Sequence, residues 1–208
     1  MAIRLTLEKT DRILFCGSKW WGDPDMPEGM TYPVMTVMEE GETLEYPLTF
    51  ICQINCEDIA DLDKEGLLPH EGMLYFFAAI DQWLGYDSPG TRGMGEWPKG
   101  EFVVKYVKTI NFETFQSCML VDDDDNPLTE PELGIRFSEC GNADEGIKIG
   151  GIPAYRETGE DRVSLLQLDS DVSIGLQLDG HIINLLLKDT DLKFGNWKRA
   201  RGYMTKKG

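Results

Sequence analysis

The chain has 208 residues, of which 37 are acidic and 20 basic, for a formal charge of −17. Apolar residues make up 41% and are spread along the chain, enough for a substantial core. The charge disfavours phosphate backbones and anionic lipid, and no apolar run approaches the twenty residues of a membrane helix.

The start, Met1-Ala2-Ile3-Arg4, soon reaches Glu8, Lys9, Asp11 and Arg12. It has no uninterrupted apolar stretch of the secretory kind, so a cytoplasmic location is expected. Residues 12–16 read as a short strand. The stretch Gly17 to Gly29 is dense in Gly, Asp and Pro and reads as a shaped loop. Its Trp20 and Trp21 either fold onto a sheet or core, or stand exposed as a binding surface. Residues 33–38 read as a strand ended by a Glu39–Glu42 turn.

Residues 48–54 are rich in β-branched and aromatic side chains and form a confident strand. Asn55 follows as an N-cap, with Asp58 placed to meet backbone donors. A second confident strand covers 72–77. The long connection 81–100 contains Trp83, Tyr86 and Trp97, which anchor it at several points. Its Gly90–Gly95 run reads as a turn. Residues 102–107 return to strand, whereas 111–120 fit strand and helix equally. The run Asp122–Asp125 reads as a solvated loop; counted as a calcium loop, it puts Pro127 where glycine belongs and Leu133 where the closing glutamate belongs.

Short strands joined by Gly and Asp turns explain 163–168, 174–178 and 182–187. The last 11 residues hold five basic and no acidic side chains. They read as a solvated end, with folding back onto acidic surface as the alternative.

The segments also recur in order. Trp21-Gly22-Asp23-Pro24, Gln53 within its strand and the strand after Gly72 are echoed by Gly150-Gly151-Ile152-Pro153, Gln167 and the strand after Gly180. Gln53 and Gln167 are 114 positions apart, Gly72 and Gly180 108. A small β unit cannot bury its apolar face alone, and two related units can share a core. Approximate halves are 12–110 and 133–195 within one domain, 1–208.

These residues resemble the YwqG-like family, whose domain is the uncharacterised DUF1963. The resemblance rests on Lys19–Pro27, Tyr32-Pro33, Pro47–Asn55 and Leu68–Phe77, and extends over roughly 15–192. Trp21 stands where the family has glycine, and Tyr32 where it has tryptophan. The resemblance implies an α+β architecture: β-rich, mainly antiparallel sheet, with two related halves sharing one core. It implies no activity, cofactor or catalytic residue.

The residues themselves carry no recognisable chemistry. Five cysteines at wide spacing complete no zinc set. His70 and His181 sit at turns before strands and make no pair. There is no Gly-x-Ser-x-Gly elbow and no phosphate loop. Acid pairs such as Asp23 with Asp25, or Glu157 with Glu160 and Asp161, arise readily among 37 acids. Gln53 and Gln167 are either matched structural hydrogen-bonding positions or polar features of a cleft between halves. The candidate cleft or interaction residues are Trp20, Trp21, Asp23, Gln53 and Gln167; no catalytic, cofactor or metal residues are assigned.

The reading is a protein-interaction or accessory module with no recognisable catalytic constellation, which leaves enzymatic activity open, and with a bacterial regulatory or immunity-like role as one form of it. The expected partner is another protein with a basic surface, not nucleic acid or membrane. The alternative is a small-molecule-binding protein or enzyme with a cleft between the halves, favoured if the Gly22 and Gly151 loops converge on a pocket.

Overall fold

A computed structural model describes residues 1–86, 94–154 and 162–208. The strands run β1 (Ala2–Glu8), β2 (Lys19–Trp20), β3 (Asp25–Pro27), β4 (Val34–Glu39), β5 (Glu42–Pro47), β6 (Thr49–Asn55), β7 (Met73–Ala78), β8 (Gly95–Glu96) and β9 (Phe102–Val107). Then come β10 (Phe115–Ser117), β11 (Leu133–Cys140), β12 (Lys148–Gly150), β13 (Arg162–Leu168), β14 (His181–Lys188) and β15 (Arg201–Lys206). The only α-helix among the described residues is α1 (Asp189–Lys193).

Eleven strands form one sheet in the order β8-β15-β14-β13-β12-β1-β11-β2-β6-β7-β9. Its pairings are antiparallel. The expected β-rich, mainly antiparallel fold is therefore present. β3 with β10, and β4 with β5, make two small extra sheets.

Strand periodicity explains how the layers stack. Side chains alternate across a strand, and β7 is apolar at every position, so both its faces must be covered. Leu74, Phe76 and Ala78 join the main core, which runs across the sheet from Ile3 to Met204. Met73, Tyr75 and Phe77 point the other way, into a second cluster closed by Met26, Met35, Leu48 and Phe50. The small sheets thus roof the outer face of β6 and β7.

The sheet also curls. Its edge strands β8 and β9 are consecutive in the chain, joined only by residues 97–101. Trp97 N donates to Gly202 O at 2.9 Å, and the Phe102 ring of β9 covers Gly202 of β15. A Cβ at position 202 would lie 1.9 Å from that ring. Phe102 cannot retreat, since it is itself buried and stacked on Trp97 at 4.6 Å.

Some local expectations fail. Residues 12–16 are turn and coil, with Ile13 92% exposed, because Cys16 adopts a left-handed φ of 56° and Gly17 N bonds back to Leu14 O. Residues 172–174 form a 3-10 turn capped by Asp171, so 174–178 is not a strand. The basic end is no loose tail. It forms β15, with Arg199 on Asp191, Arg201 on Glu96 and Lys207 on Glu145 and Asp169. Asn55 caps Glu57 N as expected, but Asp58 instead accepts from Ser18 Oγ. The Asp122–Asp125 loop is exposed, with Asp122 turned onto Asn126. Most of the Gly90–Gly95 run, and Glu157, Glu160 and Asp161, lie outside the described residues.

Gly202→Val should lower stability by about 1–3 kcal/mol, the usual effect of overpacking a filled core. Urea unfolding would show this as a lower midpoint; an unchanged midpoint would mean that the seam between β9 and β15 is not closely packed.

Candidate functional site

β2 has two residues and β3 three, too few ladder bonds to fix them, so side chains do the work. Gln53, buried in β6, donates from Nε2 to Gly17 O at 2.9 Å and to Asp25 Oδ2 at 2.7 Å. Its Oε1 accepts from Asp25 N at 2.8 Å. The fully buried Asp25 carboxylate also accepts from Cys16 N at 2.9 Å and Ser117 Oγ at 2.7 Å, and pairs with Lys19 Nζ at 2.9 Å. Tyr75 donates its hydroxyl to Asp25 O at 2.7 Å. Oδ2 meets three of these groups and Oδ1 meets Ser117, and such partners are how a buried charge is tolerated.

This cluster fixes the turn that follows β2. Trp20 points into the core with its ring 5.3 Å from Trp21. Trp21 and Gly22 both adopt left-handed φ, 57° and 73°. Trp21 N donates to Ile51 O and Gly22 N to Glu130 O, both at 2.9 Å. Glycine is needed at 22, because a Cβ there would sit 2.8 Å from the Glu132 Cβ.

The turn makes Trp21 one wall of a pocket of about 340 Å³, within the small-ligand range. Tyr32, Phe50, Leu84, Tyr86 and Leu128 supply much of the rest. Tyr32 is held by donation to Leu48 O at 2.8 Å, and Tyr86 by donation to Glu130 Oε1 at 2.5 Å. Inside the walls, Trp21 Nε1 and Thr49 Oγ1 are buried without a hydrogen-bond partner. Asp23 lies alongside, accepting from Thr129 Oγ1 at 3.4 Å.

Two carboxyls line the pocket: Glu130, held by Tyr86, and Asp81, at the end of the buried β7 run. No basic side chain is among its described lining residues. Burial pushes the Asp81 carboxyl up to about 6. Burial, then the charges of Cys118, Asp81 and Asp23, push the Tyr32 phenol well above its usual range. The described walls offer aromatic faces, the hydroxyls of Tyr32, Thr49, Tyr86 and Thr129, and the two carboxyls. Among the described residues no three His, Cys, Asp or Glu side chains are placed to hold a metal ion.

Of the residues singled out in the sequence, Trp21 lines this pocket, Asp23 lies beside it on Thr129, Trp20 belongs to the core, and Gln53 underlies the turn. Gln167 lies elsewhere. Strands β2, β11, β1 and β12 separate β6 from β13, so the two glutamines do not meet. Gly151 packs on Ala2 and Asn142, and the Gly22 and Gly151 loops do not converge on this pocket. Tyr32, Phe50, Asp81, Tyr86 and Glu130 were not foreseen as a site. The one local signal was an acid directly after a fully apolar strand.

The model of DUF1963, a domain of unknown function, matches residues 18–148. The chain belongs to the DUF1963 family. A search of curated proteins finds no match. All the lining residues of the DUF1963 pocket fall inside the matched stretch, as do Lys19, Asp25 and Gln53. The match stops at Lys148, before Gln167 and the strands after it, short of the 15–192 span that the motifs suggested.

Two outcomes follow. Asp25→Ala leaves the buried Lys19 with only the half-exposed Glu132, at 3.5 Å, and should lower stability by about 3 kcal/mol, measured by urea unfolding, with Ser117→Ala causing a much smaller loss. The Asp81 carboxyl binds its proton more tightly folded than unfolded, so its contribution is complete below about 3.8 and lost as pH rises through about 6. Asp81→Asn should therefore raise stability at pH 7.5 by about 1 kcal/mol after solvent screening, with little change at pH 3.5; thermal melts at both values test this.

Proposed function

We propose that this DUF1963 chain is a binding module whose Trp21 pocket receives a cationic group carried by a basic protein partner, such as a lysine or arginine side chain. The observation that carries the reading is Asp81: a partly buried carboxyl with no basic side chain among the described residues of the pocket wall, set among Trp21, Tyr32, Phe50 and Tyr86. A cation placed there meets aromatic faces and an acid at once. The charge of −17 favours encounter with basic surfaces at long range. The reading involves no covalent step.

The same reading treats the chain as one domain with an internal duplication. Supporting this, Gln167 repeats the bonding of Gln53: Oε1 accepts from Ala154 N at 3.0 Å, and Nε2 donates to Gly146 O at 2.9 Å. Gly150 and Gly151 repeat the left-handed pair of Trp21 and Gly22. Both glutamine strands carry an irregularity at the same place, Phe50/Cys52 and Ser164/Leu166. Alignment on the glutamines sets Tyr75 beside Asn184, and so Gly72 against His181 rather than Gly180.

Calorimetric titration with acetyl-tetralysine amide tests the binding role. Saturable binding is expected, strengthening as pH rises from 5 to 7 and weakening about tenfold in Asp81→Asn. Equal binding of wild type and Asp81→Asn at pH 7 would sink the proposal. Butylammonium binding as tightly as the peptide would shift the reading to a small amine ligand.

A further inference from the structure

The pocket beside Trp21 is acidic; the seam that closes the curled sheet is the reverse. Two adjoining hollows of about 230 and 450 Å³ run along it, sharing Val104, Trp197 and Lys198. Neither has an aspartate or glutamate among its lining residues, in a chain with 37 acids. Between them they present Lys99, Lys105, Lys198, Arg199 and Arg201.

The pairing of these cations is uneven. Arg199 is held by Asp191 at 2.9 Å and Arg201 by Glu96 at 3.5 Å, outside the hollows. Among the described residues Lys99 and Lys198 make no ion pair, and Lys105 donates to the backbone carbonyl of Thr31. Burial and the neighbouring Lys198 charge both act against protonation of Lys105. Lys105 and Lys198 line one hollow with no acid among its described lining residues, and two such like charges gain most from an anion placed between them. The wall beside them is aromatic: Trp197 and Tyr106 have ring centroids 5.6 Å apart. A flat ring can lie against such a surface.

We propose that the seam between β9 and β15 binds a small anion of the nucleotide class, with its phosphate group between Lys105 and Lys198 and its flat ring against Trp197 and Tyr106. The combined hollows fit a ligand of that size. A nucleic-acid strand fits less well: a long phosphate backbone would leave the seam and cross the acidic surface of the rest of the chain. The site does not depend on the Trp21 pocket, so either reading can fail alone.

The test is titration of the full chain with ATP, adenosine, inorganic phosphate and a single-stranded oligonucleotide, by calorimetry and by quenching of tryptophan fluorescence. ATP should bind saturably and quench, with adenosine and inorganic phosphate each at least about tenfold weaker. Trp197→Phe should remove the quenching. Lys105→Met with Lys198→Met should weaken ATP at least about tenfold, and Lys198→Met alone, at an exposed position, should act in the same direction. The charge-matched pair Lys9→Met with Lys64→Met, two exposed lysines that line neither hollow, should leave ATP binding intact. No saturable ATP binding up to millimolar concentration would overturn the proposal. So would equal losses in the two double variants, or an oligonucleotide that binds more tightly than ATP.

Discussion

The carboxylate of Asp25 holds the first half of this protein in shape. Backbone from Cys16, side chains from Lys19, Gln53 and Ser117, and the Tyr75 hydroxyl on its main-chain oxygen all converge on one residue. Each comes from a different segment, and two of the strands so joined are too short to persist on ladder bonds. A buried ion pair need not add net stability over an apolar replacement. What it does here is fix positions. Removing any partner leaves the others desolvated and unsatisfied, so the loop from Cys16 to Pro27 has one arrangement. The strained Trp21 backbone and the pocket it walls follow from that.

Under the proposed duplication, the same geometric demand is met a second time with different chemistry. Lys148 pairs with Gln167 across the sheet as Lys19 does with Gln53. Ala154 N meets Gln167 Oε1 as Asp25 N meets Gln53 Oε1, yet Lys148 Nζ is satisfied by the carbonyls of Asn142 and Ile152. Its pKa is lowered, chiefly by burial. Carbonyl oxygens solvate an ammonium without a full opposing charge. On that proposal the glutamine, rather than the ion pair, is the shared element.

The strands that were legible in the sequence are those buried on both faces or rich in β-branched residues: β6, β7, β9, β13 and β14. β1 and β11 were missed, although each alternates apolar with polar side chains, as in Ile3-Arg4-Leu5 and Ile135-Arg136-Phe137, the pattern of a half-buried strand. What the local pattern does not carry is the partner: the two pair across more than 125 residues. The reverse error occurred at 12–16, where apolar composition suggested a strand and a left-handed Cys16 made a turn. Gln53 was legible as a buried hydrogen-bonding position because an amide inside an apolar strand demands partners. Asp81 was not, since the pocket around it is assembled from segments spread between Trp21 and Glu130.

β1 lies at the centre of the sheet, between β11 and β12. Its seven residues find their first partner only when residues 133–140 exist, and their second at 148–150. A chain emerging from the ribosome therefore carries its central strand with both edges open for most of its synthesis. Sheets dominated by such distant pairings close slowly and expose unpaired edges meanwhile. Arg4, Thr6 and Glu8, the polar side chains that alternate along β1, keep that waiting strand in water rather than on another chain.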